Sequence, residues 1–579
     1  MLVTGRGSTA LGLGVAMLAC VAVLVSAPGS RAVSTARSGS RGPVLTFYFG
    51  LKRPEKKAIA AFWAVQQPGS RSYRRFLTPA QIARRYGASP ATRSAFVAAI
   101  RRLGLRASID STGVFARVRG TRAQLQRAFH VKITSLPDET ATNYQANRPP
   151  RLPASVKPLV QDVAAAFERT VRPVTSASVR RSAGALAPLS VAAAVPRNEG
   201  RWTRGCAAAR RLGGYSYGQI RQAYGVDRVG SGAGGSVAVL NDEESIVPSD
   251  GRAISRCFGY PAHRVRLLFT DAQTSRFNPD TPEPIEDLSL VRGIAPQLRS
   301  VLQTSVWGDA QLWFLGPARL MGLRRLPDAL SISYAYCPSQ VDRPSSIGGV
   351  RLLDAMFIRL GLAGVGVFGS AGDSGSTCAG APRPGTAWPA DSPYVTSVGG
   401  TRLVLNHHNQ RVNEVVWNDL RWLKSSSNIQ GTGGAGGGGV ADNYPRPPYQ
   451  RHIHVAGNRR VTPDLAVHAS LLPGYPIYAN GQWILDAGTS AAAPLTAAAF
   501  STISARLQAA GQPPLGPVNG LVYWLERHHP GALYDVVSGN NRYDRHAPGH
   551  HAQRGYDLAS GVGVPRFAQI ASLLPAPGH

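Results

Sequence analysis

Beyond residue 206 the apolar residues come in short runs set between longer stretches of helical spacing. Residues 236–240, 329–334, 365–368 and 395–398 are rich in β-branched and apolar side chains and too short for helices, so each reads as a buried strand. Residues 284–292, 309–322 and 350–362 read as helices. The alternation predicts an α/β fold, a parallel sheet covered by helices on both faces. Functional groups should then gather at the carboxyl ends of the strands.

The first third has another rhythm. Strand patterns at 44–49, 114–118 and 131–134 are interleaved with helical ones at 56–65, 81–86, 91–103 and 121–129. This predicts a small α+β domain over residues 43–170. Thr78-Pro79-Ala80-Gln81 has the form of a helix start, a capping residue followed by proline in the first turn. Residues 171–205 are rich in Ser, Ala, Pro and Arg without a period, the composition of a linker and of a protease-sensitive segment.

At the N-terminus, Arg6, the apolar stretch 11–25 and the small residues Val25-Ser26-Ala27 have the layout of a secretion signal. Ser30-Arg31-Ala32 offers a second cleavage point, which sets residues 1–32 apart and predicts an extracellular protein; a retained signal anchor is the alternative. Excluding Cys20, four cysteines remain, which allow three pairings. Cys337 and Cys378 each follow a predicted strand and are the preferred pair.

The chain has 579 residues and a net charge of +32, and residues 1–170 alone hold 26 Lys+Arg against 6 Asp+Glu. These arginines are scattered through amphipathic helices with no interleaved aromatics, the pattern of a solvated surface. No nucleic-acid partner, no stable membrane association and a monomer are expected.

The candidate chemistry centres on residues 485–494, Leu-Asp-Ala-Gly-Thr-Ser-Ala-Ala-Ala-Pro. A glycine turn delivers Ser490 to the start of an alanine-rich helix, where the helix dipole and local donors favour an oxyanion. Pro494 is expected in the first turn, where no intrahelical N–H is needed. The stretch fits a capping serine equally well. A serine nucleophile needs a base, yet none of the 13 histidines stands in the His-Gly-Thr setting of subtilisin-like proteases. Carboxylates are available instead. Glu283 and Asp287 are four apart, so they share one helix face and should share a proton. Asp373 lies on the glycine-rich loop after the strand at 365–368, where its protonated form can serve an oxyanion. An acid cluster at a helix entrance and a turn aspartate are the plainer readings of these positions.

Taken in order, these motifs resemble the serine-carboxyl peptidases of the sedolisin and kumamolisin family, from residue 44 to the end. They are Glu283 with Asp287 followed by Gly293-Ile294-Ala295-Pro296, Ser370 to Gly375, and Gly488-Thr489-Ser490 with Pro494. Ala390 to Thr396, Val398 to Thr401 and Arg460 to Asp464 support them. The resemblance implies a subtilisin-like fold, with Ser490 as nucleophile, Glu283 as general base, Asp287 as its orienting partner and Asp373 at the oxyanion. It implies a secreted endopeptidase made as a zymogen, cutting proteins or peptides at acidic pH through an acyl-enzyme. A tripeptidyl aminopeptidase of the same family and a catalytically silent binding relative are the alternatives. Residues 43–170 become an intramolecular inhibitory propeptide, released by a cut within 171–205 or slightly beyond. The resemblance also implies one structural Ca²⁺, held by the carboxylates of Asp535 and Asp557 and the carbonyls of Val536, Gln553 and Gly555. Departures are Ala487, where relatives have Ser or Gly, Gln553, where they often have Gly, and the basic overall charge.

Overall fold

The four short apolar runs are strands of one eight-stranded sheet. This computed structural model describes residues 43–137, 141–164, 170–171, 196–242, 248–261, 265–269, 282–306, 312–341, 347–378, 383–422, 434–543 and 548–574. The expected signal segment 1–32, most of the linker and the start of the helix expected at 309–322 lie outside the described residues.

The sheet holds β1 (Ser236–Asp242), β2 (Val265–Phe269), β3 (Ser300–Val306), β4 (Ala329–Ile332), β5 (Gly366–Ser370), β6 (Thr396–Leu405), β7 (Arg411–Val416) and β8 (Leu465–His468). Its order is β7-β6-β5-β4-β1-β3-β2, with β8 also paired to β6. Only the β6–β7 pair is antiparallel among these neighbours. β1 lies between β3 and β4, so the path of the chain reverses there and opens a crevice at the strand ends. β6 runs on to Leu405, past the expected end at 398. Gly399 and Gly400 look like a break in the sequence. In the sheet they are sites of close approach, where an added Cβ would meet Pro463 Cγ at 2.7 Å and the Trp417 ring at 2.7 Å.

Three helices matter for the site: α1 (Glu283–Ile294), α2 (Ile347–Leu362) and α3 (Thr489–Ala509). α1 is buried from Pro284 to Ile294 and α3 from Ala491 to Ala505, so neither shows the polar stripe of a surface helix. The alanines of α3 let it pack closely against α1 and the sheet. Among the described residues no helix is long and apolar enough to cross a membrane.

The N-terminal part carries a four-stranded antiparallel sheet of Arg106–Ile109, Phe115–Thr121, Val44–Leu51 and Val160–Ala164, in that order. Thr78 with Gln81 forms the capping box read from sequence, and Thr121 with Gln124 forms a second. This part shares a core with the rest of the chain. Phe62 and Trp63 each pack on Tyr394 with ring centroids 5.3 Å apart, and Phe115 meets Phe314 at 4.9 Å. Leu77 N–H donates to the last residue of α2, Leu362 O, at 2.9 Å. The Glu55 carboxylate is shared by Arg53 and by Arg359 of α2. Burial pushes this carboxyl upward, but the two guanidinium groups outweigh it and hold it below its ordinary value.

Residues 196–205, the end of the segment with linker composition, are fixed to the body. Asn198 Nδ2 and Trp202 Nε1 donate to Gly214 O at 2.7 and 2.9 Å, and the Trp202 ring stacks on Phe258. The four cysteines pair as Cys337–Cys378, the preferred pair, and Cys206–Cys257.

Candidate active site

The turn into α3 is capped by Gly488, at φ 122°, a conformation that favours glycine. A Cβ there would lie 2.8 Å from Asp373 Oδ2 and 2.9 Å from Ser490 Oγ. The missing side chain therefore leaves the carboxyl and the hydroxyl around one small space. Ser490 is the second residue of the helix and half-buried, so it is not the cap that the sequence left open. Pro494 sits in the sixth helical position, later than expected. Its missing N–H is the one that would bond Ser490 O in a regular helix, so that carbonyl is available to another donor. Ser333 Oγ takes that place at 3.1 Å.

Ser333 follows the end of β4, and its Oγ also lies 2.6 Å from Asp287 Oδ1. A hydroxyl owns one hydrogen. That hydrogen is given to Asp287 Oδ1, the nearer acceptor, and shared with Ser490 O. Asn241 Nδ2, near the end of the neighbouring β1, donates to Asp287 Oδ2 at 3.1 Å. Asp287 is fully buried, so its orientation is fixed from both sides. Glu283 opens α1, half-buried, and stands one turn before Asp287 on the same face.

Asp373 lies three residues past the end of β5. Its Oδ1 accepts from Thr489 N–H at 2.8 Å and Thr489 Oγ at 2.7 Å, which leaves Oδ2 on the side of Ser490. Burial raises this carboxyl above its ordinary value against the pull of the Thr489 bonds. A glycine-rich run beginning at 431 packs here over 434–439. Gly434 N–H donates to Asp373 O at 2.9 Å and Gly437 N–H to Gly372 O at 2.6 Å. Its first part, 431–433, lies outside the described residues. His468 is fully buried, with its ring nitrogens on Leu403 N–H at 3.1 Å and Pro473 O at 2.8 Å.

Two further acids stand beside the four expected ones. Glu286, in the same helix turn, is 1% exposed, and Asp486 is half-buried at the end of the strand leading to the Gly488 turn. Sequence reading assigned no role to either, nor to Asn241, Ser333 or Thr489. The signal for Asn241 and Ser333 was their place, at the ends of two adjacent strands.

The expected calcium residues meet on one loop. Asp535 Oδ2 accepts from Gly555 N–H at 3.1 Å and Asp557 Oδ2 from Gln553 N–H at 3.2 Å. Asp557 Oδ1 accepts from Ala559 and Ser560 N–H, each at 2.8 Å. Burial raises the Asp557 carboxyl, opposed by those donors. Asp557 Oδ2 also accepts from Ser560 Oγ at 2.9 Å, and carboxylate oxygens are the donor type that a hard cation takes.

A buried parallel sheet, a serine in the first turn of a helix and a carboxyl facing the same small space are the parts that a serine hydrolase with carboxyl partners would use. Residues 32–166 match the pro-kumamolisin activation domain. The chain is 28% identical over 474 residues to kumamolisin of Bacillus sp. (strain MN-32), across 78% of this chain and 77% of that one. It is 33% identical over 192 residues to sedolisin of Pseudomonas sp. (strain 101), across 33% and 31% of the two chains. It is 30% identical over 321 residues to tripeptidyl-peptidase sed5 of Aspergillus fumigatus, across 52% of each. The solved structure of Pseudomonas sedolisin complexed with two molecules of pseudo-iodotyrostatin has the same fold, with a TM-score of 0.56 and 23% identity over 63% of this chain and 99% of that one. Over most of its length the chain is similar to the serine-carboxyl peptidases of the sedolisin and kumamolisin family, and its N-terminal part matches that family's activation propeptide.

Proposed function

We propose that this protein is an exported endopeptidase that matures by removing its own N-terminal domain and works in acid. The observation that carries the chemistry is the convergence of Ser490 Oγ and Asp373 Oδ2 on the space left by Gly488. In this reading Glu283 takes the Ser490 proton as the hydroxyl oxygen bonds to the substrate carbonyl carbon. Asp287, fixed by Asn241 and Ser333, orients Glu283. Asp373, protonated on Oδ2, donates to the oxyanion. The leaving amine takes the proton back from Glu283, and water then releases the acyl group by the same steps in reverse. A carboxylate base and a carboxylic acid donor coexist only on the acid side, so the rate should peak there.

The two disulfides suit export to an oxidising compartment. The packing of residues 196–205 on the body supports a maturation cut before them, within 172–195. The test incubates purified precursor from pH 3 to pH 8 and follows chain length and casein fragments. Shortening to a chain that begins within 172–196, with internal casein fragments and an acid optimum, is expected. Release of tripeptides alone would favour the second reading, which the tripeptidyl-peptidase relatives support. A peak at neutrality with the propeptide fully removed would count against both.

One Ca²⁺ on Asp535, Asp557 and the carbonyls of Val536, Gln553 and Gly555 would tie the C-terminal loop to the body. Saturation at about a hundred times the dissociation constant stabilises a fold by about 2.7 kcal/mol. EGTA should lower the thermal midpoint and added calcium restore it, whereas Asp557→Ala should be insensitive to both. A parent protein whose midpoint ignores EGTA would remove this site.

A further inference from the structure

The catalytic reading uses four acids and leaves Glu286 and Asp486 without a task. Glu286 follows Glu283 by three residues on α1 and so lies beside it, on a face that continues through Ser289 and Gly293. Tyr217 closes that face. Its ring lies against Gly293, where an added Cβ would clash, and its hydroxyl donates to Pro476 O at 2.8 Å. Pro476 belongs to β9 (Tyr475–Ala479), which packs on α1 and pairs with β10 (Gln482–Asp486) so that Tyr475 stands opposite Asp486. Asp486 is thus the last residue of the hairpin that runs straight into Gly488 and Ser490.

Glu286 Oε1 is buried with no hydrogen-bond partner among the described residues. The groups acting on Glu286 are, after burial itself, Asp486, Glu283, Asp287 and Asp373, and the neighbouring Tyr217 and Tyr475 feel it in turn. An ionised carboxylate in that setting, among acids and phenols, is strongly disfavoured.

We propose that Glu286 and Asp486 form a proton-holding pair that is neutral while the enzyme works and silences the site through its own negative charge as the medium approaches neutrality. They are positioning residues, and the proposal rests on the roles given above to Ser490 and Asp373. Burial pushes Asp486 up to about 7, with Asp373 adding to the rise and the Ala487 N–H opposing it, and Glu286 is raised well above its ordinary value by burial first and Asp486 second. Below that range both carry protons and add no charge. Above it an anion appears on the segment that bears Ser490, where the tetrahedral intermediate must also be negative. Repulsion between that anion and the negative intermediate slows the step by on the order of tenfold. The same anion would hold the Asp373 proton more firmly, so the loss reports on the oxyanion and not on that donor.

The test compares mature enzyme with the Glu286→Gln, Asp486→Asn and double variants, measuring kcat/KM on a quenched peptide from pH 3 to pH 8. At pH 4 all should lie within about threefold of the parent, because a neutral amide replaces a neutral acid. The descending limb of the double variant should move up by about one pH unit, giving about tenfold more activity near pH 7. A limb that coincides with the parent's overturns the proposal, as does loss of activity at pH 4 in a folded variant. A second measurement needs no activity. In the Ser490→Ala background, a raised folded-state pKa means stability is fully present below the unfolded value and is lost as pH rises through the folded one. The thermal midpoint of the parent should therefore fall from pH 4 to pH 7 more steeply than that of the double variant, and equal slopes overturn the pair. Activity in Ser490→Ala itself would instead overturn the underlying catalytic reading.

Discussion

Replacing Ser490 by alanine abolishes both maturation and peptide hydrolysis, with kcat/KM falling by about 10⁴-fold or more, as expected when the nucleophile of a concerted set is lost. The fold should not change. Ser490 does not cap α3, since Gly488 holds that place, and its backbone carbonyl keeps the bond from Ser333. Alanine has the highest helix propensity and suits the second position of a helix already rich in it. Mass spectrometry after acid incubation gives the readout. The variant remains at precursor length while the parent shortens, and the two share one thermal midpoint. A variant that shortens and digests casein like the parent would place the nucleophile elsewhere.

The second large effect belongs to Asp373. Its Oδ1 is committed as acceptor to both donors of Thr489, so the proton needed at the oxyanion resides on Oδ2, beside Ser490. Asp373→Ala removes that donor and should cost about 10²–10³ in kcat with little change in KM, the scale for an oxyanion donor. Asp373→Asn differs in a telling way. Its amide oxygen can still accept from Thr489, and its N–H₂ then stands where the acid proton stood. The asparagine variant should retain more activity than the alanine one. It should also lose less of its rate as pH rises, because an amide has no proton to give up. If both variants fall equally and keep the parent's pH dependence, Asp373 does not supply the donor.

Asp287 is held by donors on both sides, with Asn241 Nδ2 on Oδ2 and the Ser333 hydroxyl on Oδ1. The same hydroxyl lies 3.1 Å from Ser490 O, so Asp287 and the serine backbone meet at one residue. Pro494 adds to this by leaving Ser490 O without its helical N–H partner.

Much of this was written in the sequence because it is local. The strands β1, β4 and β5 are legible as short apolar runs, since a strand buried on both faces needs nothing else. The helix pairing of Glu283 with Asp287 follows from 3.6 residues per turn alone. The capping box at Thr78 is a matter of four adjacent residues. The glycine before Thr489 marks the turn that presents Ser490, because few other residues accept that backbone.

Other features depended on segments far apart in the chain, where local pattern is silent. Gly399 and Gly400 looked like a strand end until Pro463 and Trp417 were seen to press on them. Residues 196–205 had the composition of a linker, yet Gly214 and Phe258 hold them in place. Asn241 and Ser333 are ordinary polar residues in sequence, and they become the holders of Asp287 only because β1 and β4 lie side by side. Glu286 and Asp486 are 200 positions apart and acquire a shared environment when α1 packs on the β9–β10 hairpin. Periodicity and turn chemistry determined which elements form and which residues are candidates for the reaction. Packing decided which acids lose water, which donors each carboxylate oxygen meets, and where the N-terminal part docks, because burial and electrostatic coupling exist only between groups that tertiary structure brings together.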